Sequence, residues 1–369
     1  MNTTKKLDMM SQFPNNPDQQ VTLGNWRTSP YNKWAFQHVR ELVPSANIQN
    51  NPSQAQNLHH EKYDFSAVEV ELDNKSQLAY DEFLKITDTD ALIILKDGII
   101  IEERYFHDMA RDTPHILMSV SKSILGLLIG ILIDQKVFKA DDKVSAILPE
   151  LNSTAYKEAT IRDLLDMRTG VTFVEDYLAT SGLMIDYRKA TNWNPLENNE
   201  APSDLRSFYR LLDKKSHPDG KQFNYVSPNS DLLGWIIERS TGERFSDLLS
   251  DLFWKPLGAT MPSYITVDRL GAPRVAGGLC TTAIDLALVG QLFLDYGFTN
   301  GQQILPKNWL QDIQENGSRD AWLEGNFVEY FPNMDMHYRS KWYVDHGSND
   351  SKAELVFGLG VHGQNLFIN

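Results

Sequence analysis

The stretch MSVSKSILGLLIGILID, residues 118–134, decides how the rest of the chain is read. It is an apolar run of helical length with a serine and a lysine at one end. Ser119 and Lys122 stand three residues apart and so share one face of a helix. From Ile116 to Ile133 the run approaches the length of a bilayer span. Against a span, Ser119, Ser121, Lys122 and Ser123 crowd one end, two glycines interrupt the remainder, and a charge inside a bilayer is costly. The expectation is a helix buried on all sides within a large globular protein. At the start of such a helix, unpaired backbone N–H groups and the helix dipole favour a serine oxygen that becomes an alkoxide. The same field and the apolar surroundings disfavour a charged Lys122. They lower its pKa from about 10.4 toward the value of about 7–8 that suits a general base. Taken alone, the stretch fits equally well a lysine that reaches out to water beside a helix-capping serine.

The totals are those of a globular chain: 369 residues, 41% hydrophobic and 23% charged, enough for one large domain or two ordinary ones. A formal net charge of -14 argues against nucleic acid and against anionic membranes as partners. Cys280 is the single cysteine, so no intrachain disulfide exists, which fits a reducing compartment. The polar start, MNTTKKLDMMSQFPNNPDQQ, lacks the apolar core of a secretory signal and is expected to be a loose arm. A cytoplasmic location is the resulting expectation. His59 and His60 lack ligand spacing around them and are expected to be loop histidines. No metal and no cofactor are implied.

Residues 25–48, NWRTSPYNKWAFQHVRELVPSANI, are expected to wrap onto the rest of the molecule. ALIILKDGIIIEERYF, 91–106, predicts a β-hairpin turning at Asp97-Gly98. TIRDLLDMRTGV, 160–171, predicts a helix stopped by Gly170. A long irregular segment is expected from Val171 to about Ser203, with Glu175-Asp176-Tyr177 near its start. Three helices are predicted next: Ser230 to Thr241 closed by Gly242, Phe245 to Trp254 ending before Pro256, and Thr282 to Tyr296 opened by a Thr282/Asp285 capping pair. Strand character returns at KWYV, 341–344, and from Glu354 to the last residue. The fold class is α+β, with a helical subdomain inserted into an antiparallel-sheet domain. The expected division is an arm and wrap over 1–62, a sheet domain over 63–115 and 270–369, and a mainly helical domain over 116–269.

Two further elements join the Ser119/Lys122 pair. FNYVSPNSDLLGWIIERSTG, 223–242, puts Tyr225 just ahead of a helix, with Ser227 and Asn229 close behind. A tyrosine beside an ammonium group can have a lowered pKa and relay protons; a packing tyrosine at a helix entrance is the plainer alternative. GLGVHGQ, 358–364, is a glycine-rich strand end that can bring a backbone N–H to an oxyanion hole, with the Ser119 N–H as the other donor. His362 read by itself is a structural histidine.

These three elements, in this order, resemble the active-site motifs of serine β-lactamases, penicillin-binding proteins and their esterase relatives, whose fold is the layout just described. LLDMRTGV is similar to that family's LLxHxSG segment. Six segments narrow the resemblance to the 6-aminohexanoate-dimer (nylon-oligomer) hydrolases: WRTSPYNKWAFQHVRELVPSA, MSVSK, the EDY at 175–177, the FxYxS stretch, AGGLCTTAIDLA and GVHGQNL. The resemblance runs from about residue 22 to the end. It implies Ser119 as nucleophile, Lys122 and Tyr225 as the proton-transfer pair, and the backbone N–H groups of Ser119 and Val361 as the oxyanion hole. It implies Tyr177 on a mobile loop over the substrate, and Ser227, His362, Ala276 and Tyr343 as substrate-contacting residues. It also suggests a homodimer. Three departures shift the expected chemistry. His362-Gly363 stands where a β-lactamase has Lys-Thr-Gly, which argues against β-lactams. Ser227 stands where Tyr-x-Asn has its asparagine. Ala276 replaces a polar residue found in nylon-dimer hydrolases. The implied activity is hydrolysis of carboxylic esters, with small linear amides second. A non-hydrolytic acylated sensor of the same fold and an inactive relative are the alternatives. The resemblance further implies a last strand and a C-terminal helix beyond Asn369, so a truncated chain is expected.

Overall fold

The computed structural model describes residues 9–347 and 353–369. Its centre is helix α1, Val120–Asp134, in which every residue from Val120 to Leu132 is buried. Each fully buried leucine or isoleucine there contributes about 1.5–3 kcal/mol. The two glycines of this helix are sites of close approach. A Cβ on Gly126 would stand 2.1 Å from the Ser340 carbonyl oxygen, and one on Gly130 would stand 2.4 Å from the Trp309 ring. Trp309 also donates its indole N–H to the Gly126 carbonyl at 3.0 Å. Among the described residues no helix is long and apolar enough to cross a membrane.

Two four-stranded antiparallel sheets frame this helix. The first contains β1 (Ser45–Ile48), then the strand His115–Ile116, then Ser263–Thr266 and Leu279–Thr281. In space the 45–48 strand pairs with 263–266, which pairs with 279–281, which pairs with 115–116. The second sheet is formed in chain order by Met336–Arg339, Trp342–Asp345, Leu355–Gly360 and Gln364–Ile368. Helix α1 packs against the last three of these strands. The hairpin Ala91–Lys96/Ile99–Tyr105 forms as the sequence predicts, with Asp97 and Gly98 both at positive φ. The helix Ala283–Leu294 packs against Ala91–Lys96 of this hairpin and against the final strand, Gln364–Ile368. The first sheet takes a strand from the N-terminal wrap and another from ahead of residue 270, so its strands straddle the expected divisions at 62 and 270.

Several local expectations need correction. The helix after Thr160 spans Ile161–Leu165 and is opened by a capping box from Thr160 and Asp163. It exits through Met167 at φ 53, not through Gly170. Gly170 is needed because a side chain there would meet the His217 carbonyl at 1.7 Å. The helix expected from Ser230 begins at Ser227, because Pro228 fits the first turn, where no intrahelical N–H is required. It does end at Gly242 in the left-handed conformation. The helix expected to stop before Pro256 continues to Leu257. A π-turn over Ser250–Trp254 precedes the proline, so its missing N–H breaks no α-helical ladder. The irregular segment after Val171 contains a helix, Leu183–Ala190, entered at Gly182 with φ 78.

Candidate active site

Ser119 sits immediately ahead of α1, and Met118 before it holds a left-handed backbone at φ 45. A buried non-glycine residue in that region stores strain and is found where geometry is fixed for function. Ser119 is half-buried and therefore within reach of solvent and substrate. One turn on, the Lys122 side chain is 1% exposed. Its Nζ lies 2.7 Å from Ser119 Oγ and donates at 2.6 Å to the Ala276 carbonyl. Burial pulls the Lys122 pKa from 10.5 down to about 7, with Arg274 pulling the same way and the carboxylates of Glu175 and Asp231 opposing. Lys122 is therefore divided between amine and ammonium near neutral pH.

Tyr225 closes the other side, 3% exposed, with its ring centroid 5.1 Å from Lys122 Nζ. Its hydroxyl interacts with Ser119 and with Tyr343. Here the sequence-based expectation of a lowered phenol pKa is wrong. Burial, and then the Glu175 charge, push it above the usual tyrosine range. A half-neutral Lys122 supplies too little positive charge to reverse that, so Tyr225 is a neutral hydroxyl at physiological pH. Phe327 stacks on the Tyr225 ring at 4.7 Å, and Phe357 stacks on Tyr343 at 5.3 Å, so the phenols are fixed against an aromatic wall.

The glycine-rich strand meets the start of α1. A Cβ on Gly360 would lie 2.7 Å from the Leu117 carbonyl, and one on Gly358 would lie 2.7 Å from Ser123 Oγ. This close approach brings the Val361–His362 turn to the Met118–Ser119 corner. His362 lies at the surface at φ 76 with its ring 5.2 Å from Phe36. Partial loss of hydration, then Arg27 and Arg188, hold its pKa below the usual histidine value.

Ser227 does not present a free hydroxyl. It donates both its N–H, at 2.7 Å, and its Oγ–H to the Glu175 carboxylate. Glu175 also accepts from the Tyr177 hydroxyl at 3.1 Å. Tyr177 keeps 39% exposure, and packing around its hydroxyl followed by the Glu175 charge raise its pKa. The loop bearing Glu175 and Tyr177 is thereby tied to the start of the Tyr225 helix. Arg188 holds the same loop from behind, donating to the Tyr177 carbonyl at 2.8 Å. Ala276 contributes through its backbone, and Gly277 beside it lies against Trp193, with 3.2 Å left for a Cβ.

Sequence reasoning brought Ser119, Lys122, Tyr225, Tyr177, Ser227, Ala276, Tyr343 and the 361–362 turn to one place, and the structure gathers them. It missed four groups. Glu175, in the EDY tripeptide, accepts hydrogen bonds from Ser227 and Tyr177. Asp231 and Arg274 form a buried ion pair beside Lys122. Lys341, 1% exposed, donates to the Leu164 carbonyl at 2.7 Å, and burial followed by Lys122 hold its pKa far below the lysine range. A charged residue that faces the core from a distant segment leaves no local pattern.

Comparison with known proteins places this geometry. The Beta-lactamase family model matches residues 85–369. Over its whole length the chain is 30% identical to a 6-aminohexanoate-dimer hydrolase of Paenarthrobacter ureafaciens, of which it covers 90%. A Bacillus anthracis structure provisionally named 6-aminohexanoate-dimer hydrolase superposes with a TM-score of 0.85 at 26% identity, over 96% of this chain and 89% of that one. EstCE1, described as a hydrolase with promiscuous acyltransferase activity, shares the fold at a TM-score of 0.56 and 19% identity, over 75% of this chain and 84% of its own. With a serine, a lysine and a tyrosine meeting at the tip of a buried helix, the chain belongs to the Beta-lactamase family and is a serine hydrolase acting on small-molecule amides or esters.

Proposed function

We propose that the chain cleaves carboxylic esters, and small linear amides of the 6-aminohexanoate-oligomer type, through an acyl-enzyme on Ser119. The observation that carries this reading is the 2.7 Å approach of a buried Lys122, with a pKa near 7, to Ser119 Oγ. Neutral Lys122 takes the Ser119 proton as Oγ attacks the carbonyl carbon. The backbone N–H groups of Ser119 and Val361 receive the developing oxyanion. The proton then passes from Lys122 through the Tyr225 hydroxyl to the leaving alcohol or amine, and the C–O or C–N bond breaks. Water, activated by Lys122, attacks the ester carbonyl and releases the acid and Ser119. Tyr177 covers the substrate from its loop, while Tyr343 holds the Tyr225 hydroxyl. Ser227, His362 and the Ala276 backbone line the remaining edge. The single buried cysteine, Cys280, fits a cytoplasmic setting for this chemistry.

A panel of short-chain nitrophenyl esters against the linear aminohexanoate dimer, at one pH and with Ser119→Ala alongside, tests the proposal. Ester turnover well above dimer turnover, with both abolished in the variant, is the expected result. Turnover that persists in Ser119→Ala, or a single acylation without turnover, removes it.

A further inference from the structure

We propose that Asp231 is a positioning residue that aims Lys122 at Ser119 through the main chain of Ala276; the inference rests on Lys122 being the base. Asp231 lies on the Ser227–Thr241 helix and is 2% exposed. Its Oδ1 accepts the Ala276 N–H at 2.8 Å. Its Oδ2 accepts from the Arg274 guanidinium and from the Tyr187 hydroxyl. Arg274 in turn folds the segment on itself, its carbonyl accepting the N–H groups of Gly277 at 3.2 Å and Gly278 at 2.7 Å. One carboxylate therefore fastens the 274–278 turn at two points, a side chain and a backbone amide. From that turn a single carbonyl, Ala276 O, reaches Lys122 Nζ at 2.6 Å.

That contact has a directional consequence. A carbonyl oxygen only accepts, so it takes one N–H of Lys122. In the neutral amine the lone pair then cannot face Ala276, and Ser119 Oγ lies 2.7 Å from the same Nζ. A carboxylate suits residue 231, because an amide would turn its N–H groups either toward Arg274, which only donates, or toward the Ala276 N–H. Neutralising Arg274 alone would not require the second oxygen to reach the Ala276 amide. The charged and titratable groups facing Lys122 are Asp231, Glu175, Arg274 and Lys341, with Tyr225 neutral across the gap. Removing Asp231 charge leaves Arg274 uncompensated and favours the amine; removing Arg274 leaves Asp231 uncompensated and favours the ammonium.

The test compares Asp231→Asn and Arg274→Gln with the unsubstituted protein, each full-length and shown to be folded by circular dichroism. kcat and KM for nitrophenyl acetate are measured between pH 5.5 and 9. Asp231→Asn is expected to lower kcat about 10–100-fold with KM within about threefold, the scale of a misplaced catalytic group. Its acid limb is expected to move to lower pH, and that of Arg274→Gln to higher pH. Loss of thermal stability with both acid limbs at the unsubstituted position would show a structural role and overturn the inference. If Asp231→Asn does not accumulate as folded protein, the direction of the Arg274→Gln shift decides. A serine-reactive fluorophosphonate separates the two claims. No labelling of Ser119 in the unsubstituted protein sinks the acyl-enzyme reading itself, whereas labelling with unmoved limbs sinks only the role of Asp231.

Discussion

Replacing Lys122 with methionine sets the cost of a buried base against its use. The native chain gives up the Lys122 proton near pH 7, while the unfolded chain holds it to about pH 10.5. Between these values the unfolded state binds more protons, so stability rises with pH through that window. At pH 7 the burial of this lysine therefore costs the fold about 4 kcal/mol, to order of magnitude. Methionine has nearly the same length and no charge to desolvate. It forfeits the hydrogen bonds to Ser119 Oγ and to the Ala276 carbonyl. Leaving that carbonyl without its donor takes back about 1–3 kcal/mol. The expected net gain at pH 7 is about 1–3 kcal/mol, or a rise in Tm of a few degrees, largest at the acid end of the range and gone as the pH approaches 10. Differential scanning fluorimetry across pH 6.5–10 reads the stability, and nitrophenyl ester hydrolysis reads the activity, which should vanish. A variant that melts below the unsubstituted protein at pH 7, or that still turns over, refutes the claim that Lys122 is kept at a cost to the fold for its chemistry.

Three further outcomes follow from the geometry. Tyr225→Phe should slow amide cleavage about 10²–10⁴-fold but nitrophenyl esters far less, because a nitrophenolate leaves without a proton; equal losses on both substrates would contradict its role as proton donor. Glu175→Gln removes a carboxylate that raises the Lys122 pKa, so the acid limb of kcat/KM should shift to lower pH, as read from a pH–rate profile. Gly126→Ala places a Cβ 2.1 Å from the Ser340 carbonyl and should destabilise the fold by about 1–3 kcal/mol or more, visible as a lowered Tm.

What the sequence shows most clearly is local. Ser119 and Lys122 are three residues apart on a helix whose apolar surroundings are contiguous in the chain, so their meeting and the lowered lysine pKa are both legible. The Asp97-Gly98 hairpin and the Gly242 stop are legible for the same reason. Tyr225 and the 358–364 strand end lie far along the chain and are legible only because their order resembles a known family. The phenol pKa is raised first by burial and then by Glu175, fifty residues upstream, and neither is visible in the residues around Tyr225. No local pattern singles out Asp231, Arg274 or Tyr187; only the fold buries the ion pair of the first two beside the Tyr187 hydroxyl. The Leu183–Ala190 helix was hidden inside a segment with too short an apolar pattern to stand out.

The most direct test of the account is the covalent state of Ser119 during turnover. Rapid mixing with a nitrophenyl ester, quenching, and intact-mass analysis followed by peptide mapping should give a burst of nitrophenol matched by an acyl group on the 118–134 peptide at Ser119. That adduct should decay as the acid appears, and it should be absent in Ser119→Ala. Steady hydrolysis with no adduct at any quench time, or an adduct on another residue, would contradict the claim that the serine and lysine at the tip of the buried helix carry out the reaction.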